Sequence, residues 1–125
     1  MSELWPTLLR IAQEEVAAAR HRLPDDLRQH AETLAVTFEA EPAEDLLNEG
    51  LDQDLLGLFV GDPLAVGFQE TSPTPRQIIL FLENLWAFAE EEEELYREEV
   101  WITYIHEFGH YLGLDEEELE ERGLL

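Results

Sequence analysis

Leu4, Leu8, Ile11, Val16 and Ala19 recur near helical spacing, and Glu14 and Glu15 fall on the opposite face. That period predicts an amphipathic helix from Glu3 to about Arg20. Leu23-Pro24-Asp25-Asp26 interrupts it. Pro24 cannot continue a helix, and Asp25 or Asp26 can cap a second one running to about Leu34. The period then drops to two: Leu34, Val36 and Phe38 alternate with smaller or polar residues, as in a half-buried strand. A polar stretch runs from Glu41 to Asp54, with no element predicted in it. Leu55 to Gly61 is a second strand, closed by the turn Gly61-Asp62-Pro63, and Gly67 to Pro75 is a loop. The unbroken apolar run Gln77-Ile78-Ile79-Leu80-Phe81-Leu82 predicts a strand covered on both faces, hence central in its sheet. Helix dominates afterwards: Glu83 to about Glu90, then Tyr96 to Leu112, stopped by Gly113. The acidic run Glu90 to Glu94 belongs either to the first of these or to a joint between them. A short helix starting at Asp115 ends at Gly123. With no repeat and no linker, the expectation is one α+β domain over residues 1–125, a small sheet with helices packed on it.

Composition narrows the function. Apolar residues form 45 % of the chain, enough for one core. No apolar stretch reaches the ~18 residues of a membrane span. The N-terminus lacks the basic and apolar regions of a secretion signal. Cysteine is absent, so disulfides and thiolate ligands are excluded, and a metal site has only His, Asp and Glu to draw on. The expected compartment is the cytoplasm. Seven basic residues, all Arg, face 30 acidic ones, for a net charge of −23. That surface repels phosphate backbones and anionic membranes, so neither nucleic acid nor membrane is an expected partner. Divalent cations and basic peptides are attracted without selectivity.

The chemistry concentrates in His106-Glu107-Phe108-Gly109-His110-Tyr111-Leu112-Gly113-Leu114-Asp115-Glu116. His106 and His110 lie one helical turn apart on one face, where two imidazoles can reach one ion. Glu107 follows the first His, where its carboxylate can take a proton from metal-bound water as the general base. A catalytic zinc needs a third protein ligand. Gly113 lets the chain turn and return Glu116, with Asp115 or a carboxylate from elsewhere as rivals. Tyr104 and Tyr111 flank the motif, and either is placed to steady an oxyanion or simply to pack. His21 and His30 sit beside Arg20, Arg22 and Arg28, which favours surface or hydrogen-bonding roles.

The segment resembles the extended zincin pattern His-Glu-x-x-His-x-x-Gly-x-x-(His/Asp/Glu). With Leu56-Gly57-Leu58-Phe59-Val60-Gly61-Asp62-Pro63-Leu64 and Ile78-Ile79-Leu80-Phe81, the chain resembles the small bacterial zincin-like metallopeptidases of the "minimal metalloprotease" type. The resemblance covers roughly the last two-thirds of the chain. It implies a compact minimal zincin-like fold, a short twisted sheet with packed helices including the active-site helix. It also implies Zn2+ held by His106, His110 and an acidic residue at the position of Glu116, and a peptide or protein substrate. Family members usually carry Asp at that position, so Glu116 is a departure. The only Met is Met1, so the Met-turn of true metzincins is absent.

Two rival readings accompany the peptidase. One is a non-catalytic metal- or partner-binding module, since membership of a fold family does not establish activity. The other is an RNA-processing metallohydrolase, because bacterial ribosomal-RNA maturation proteins carry a similar His-x-x-x-His-x-x-Gly-x-Asp-His block. Glu116 in place of the last His, and the negative surface, argue against it.

Overall fold

A computed structural model describes residues 3–61 and 76–125. The first helix, α1 (Trp5–Arg22), buries Leu8, Ile11, Ala12, Val16 and Ala19, the stripe that its periodicity marks. Its cap, Leu23, is extended, as a residue before proline must be. The next helix, α2 (Asp25–Thr33), begins without a side-chain cap. Asp25 and Asp26 lie inside its first turn, where their charge meets the helix dipole, so neither is the expected cap.

Three strands follow the predicted pattern. These are β1 (Ala35–Glu39), β2 (Gly57–Val60) and β3 (Gln77–Phe81), in the order β1-β3-β2. β1 runs parallel to β3 and β2 antiparallel to it. β3 is central, with Ile78, Ile79, Leu80 and Phe81 all buried, as its unbroken apolar run requires. The register sets Val36 beside Ile78 and Phe38 beside Leu80, and on the other side Phe59 beside Ile78 and Gly57 beside Leu80. Val36, Phe38, Phe59, Ile78 and Leu80 form the face that joins the main core.

Helices cover that face. A short α3 (Glu44–Asn48) breaks the polar stretch and buries nothing, which is why no apolar periodicity announces it. α4 (Leu82–Phe88) starts directly from β3, with Leu82 as its first residue rather than the last of the strand. The acidic run is a joint: Glu90 and Glu91 have positive φ, and Glu92 caps α5 (Glu93–Leu112), three residues earlier than the expected start. α5 packs on β2, β3 and α1. It buries Tyr96, Val100, Tyr104, Ile105, Phe108 and Tyr111 along one side. The chain closes with α6 (Glu116–Glu121). The remainder of the Gly61-Asp62-Pro63 turn and the Gly67 to Pro75 loop lie outside the described residues. No helix among the described residues is long and apolar enough to cross a membrane.

Candidate metal centre

The His-Glu-x-x-His segment occupies the last two turns of α5. The helix ends because Gly113 adopts φ 78°, a left-handed conformation that costs glycine little. Gly113 N–H donates to the His110 carbonyl at 3.2 Å and Leu114 N–H to that of Gly109 at 2.8 Å. This paired closure satisfies carbonyls that the helix end would otherwise leave open. The chain is thereby turned back toward the helix it has just left.

Asp115 then starts α6. Its Oδ1 accepts from Glu118 N–H at 2.8 Å, and Glu118 Oε1 accepts from Asp115 N–H at 3.3 Å. This reciprocal capping box satisfies two backbone donors and commits the Asp115 carboxylate to the helix start. Glu116, the next residue, is left pointing to the site: its Oε1 lies 3.8 Å from His106 Nε2. Leu119, buried one turn later, anchors α6 on α5. It sits over Gly109, where an added Cβ would come within 2.8 Å of Leu119 Cδ1.

His110 and Glu107 form a second pair, with His110 Nδ1 3.1 Å from Glu107 Oε1. A carboxylate only accepts, so this contact puts the proton of a neutral His110 on Nδ1 and leaves a lone pair on Nε2. The Glu107 side chain is 12 % exposed, against 63 % for His110. Its shelter comes from β2: Glu107 Cγ would stand 3.4 Å from a Cβ placed on Gly57, and Thr103 Cγ2 only 2.6 Å. Gly57 therefore lets β2 approach α5 more closely than any side chain would permit.

His106, His110, Gly113, Leu114, Asp115 and Glu116 line one open concavity of about 610 Å³. Two imidazoles and a carboxylate on one wall are a donor set suited to zinc. Two ligands of one tetrahedral zinc stand roughly 3.4 Å apart. The 3.8 Å between His106 and Glu116 is close to that spacing. Among the described residues, however, no three His, Asp or Glu are drawn together tightly enough to hold an ion. The structure brings His106 to Glu116 and His110 to Glu107, and leaves the two pairs side by side. His110 and Glu116 are both exposed.

Other candidates resolve into packing. Tyr104 is buried, its ring stacked on Phe108 and its hydroxyl accepting from Arg20 Nε at 3.3 Å. Tyr111 is buried between Phe59 and Phe108. Neither lines the concavity. His30 meets the Tyr111 ring edge-on, and His21 is exposed. Gly57, Gly109 and Leu119 shape the site without any polar side-chain atom, so their side chains carry no chemistry that marks them. The one signal in the sequence is Gly109 itself, since a glycine inside a helix costs about 1 kcal/mol and needs a packing reason.

A family model described as zincin-like metallopeptidase matches residues 31–124. No curated protein is similar enough to match. The match includes the three described strands, the motif helix and α6, and excludes α1. The chain belongs to the zincin-like metallopeptidase family.

Proposed function

We propose that this protein is a zinc-dependent peptidase, with His106, His110 and Glu116 as metal ligands and Glu107 as the general base. The observation that carries this reading is the return of Glu116 to 3.8 Å from His106, on a concavity that His110 also lines. The family supplies the peptide bond as the substrate class. Zinc, when bound, polarises a carbonyl and makes a water acidic near neutral pH.

The chain's own residues supply the rest. Glu107 takes a proton from the attacking water on its carboxylate. It returns that proton to the amine nitrogen as the C–N bond breaks. The His110 Nδ1 contact to Oε1 holds that carboxylate in place and orients the ring. Asp115 is the weaker ligand candidate because its carboxylate already caps α6. Among the described residues β2 is an edge strand packed against α5, so an extended substrate can pair along it. The charge of −23 favours basic or unfolded segments.

The test compares zinc-loaded wild type with Glu107→Gln on a quenched, unstructured peptide set. Gln keeps the shape and removes the base. Metal content is expected to stay equal while kcat/KM falls by roughly 10²- to 10⁴-fold. Equal cleavage by both proteins would refute the role of Glu107. Stoichiometric zinc with no cleavage of any peptide would leave a non-catalytic metal-binding module.

A further inference from the structure

The proposed chemistry leaves unexplained how so short a helix as α6 holds a ligand in place. Among the described residues its substantial contacts are with α5, and within its six residues Leu119 is the one buried side chain. The Gly113 turn and the Asp115 capping box are made by residues close together in sequence. They fix where the helix starts but not how it leans. Leaning depends on Leu119 seated on Gly109, with Leu124 buried just beyond the helix.

The spacing of the two contacts is informative. His106 and Gly109 are three residues apart on α5, and Glu116 and Leu119 three apart on α6. Residues at that spacing share a helix face. His106–Glu116 and Gly109–Leu119 are thus adjacent rungs of one helix–helix contact. Any push on the lower rung is felt at the upper one. A Cβ at 109 would meet Leu119 Cδ1 at 2.8 Å, Cδ2 at 3.2 Å and Cγ at 3.3 Å, closer than packed carbons sit.

We infer that Gly109 and Leu119 are positioning residues for the metal centre: the notch on α5 holds α6 close enough for Glu116 to share an ion with His106. This rests on the reading of His106, His110 and Glu116 as ligands. A merely structural role predicts that Gly109→Ala, which crowds Leu119, lowers stability while leaving zinc affinity and the cobalt spectrum unchanged.

The experiment measures zinc affinity by chelator competition and the cobalt absorption spectrum, on full-length protein checked for helicity by circular dichroism. Gly109→Ala is expected to lose at least tenfold in zinc affinity and to change the cobalt spectrum while remaining folded. Leu119→Ala, which removes the anchor from the other side, is expected to do the same. Gly109→Ala combined with Leu119→Val, which makes room for the added methyl, is expected to recover most of the affinity. Wild-type affinity and an unchanged cobalt spectrum in both single variants would overturn the inference alone. A wild-type protein that takes up no zinc would overturn the ligand assignment, and this inference with it.

Discussion

Tyr96 carries the consequence of burial in a single side chain. It is fully buried on α5, and its hydroxyl donates to the Leu8 carbonyl of α1 at 2.9 Å. Burial pushes its phenol well above the ordinary value, and pushes Tyr104 in the same direction despite the Arg20 guanidinium beside it. An unfolded chain ionises its tyrosines above about pH 10, whereas the folded protein keeps these protons. Their contribution is therefore complete below pH 10 and is lost as the pH rises beyond it. Tyr96→Phe is expected to lower stability by about 1 kcal/mol at pH 7, through the lost hydrogen bond. It should also lose less stability than wild type between pH 10 and 12, as read by denaturant unfolding. Parallel alkaline limbs would contradict the burial account. None of this is visible in the sequence, where Tyr96 is only the expected start of a helix.

At the scale of elements, the decisive contact is between β2 and α5. A Cβ on Gly57 would stand 2.6 Å from Thr103 Cγ2, and the strand edge then shelters Glu107. Gly57→Ala is expected to lower stability by about 1–3 kcal/mol through overpacking. Adding Thr103→Ser removes the opposing methyl and is expected to restore most of it, measured by denaturant midpoint. No recovery in the double variant would place the cost elsewhere. The elements themselves were legible where they bury a stripe. α1, β3 and α5 follow their apolar spacing closely. α3 buries nothing and leaves no such trace. The joint at Glu90 and Glu91 was open on sequence alone, because five consecutive Glu favour a helix and the turn is made by two left-handed backbones.

Across the whole molecule the charge dominates. Seven basic residues cannot partner 30 acidic ones, and the net −23 repels itself in the folded state. The ion pairs are largely on the surface, such as Arg10–Glu14 and Arg97 with Glu14, Glu15 and Glu93. Such pairs contribute little, so screening them loses little. Raising NaCl from about 10 mM to about 0.5 M shortens the Debye length several-fold and is expected to raise Tm by several degrees. A falling Tm would mean that the Arg97 network outweighs the repulsion. α1 lies outside the family match yet forms one wall of the core against α5, so the motif helix depends on it for support.

The order of residues along the chain was enough to determine the helical stripes, the central place of β3 and the His-Glu-x-x-His face. Each of these depends on spacing between chain neighbours, which backbone geometry converts directly into a shared face. It left Glu116, Asp115 and more distant carboxylates as open choices. Tertiary structure decided what each is near: Asp115 is held in a cap, and Glu116 is set beside His106 because Leu119 lies on Gly109. That arrangement depends on how closely two helices pack, and packing is settled by burial and steric fit between segments whose contact no local period records.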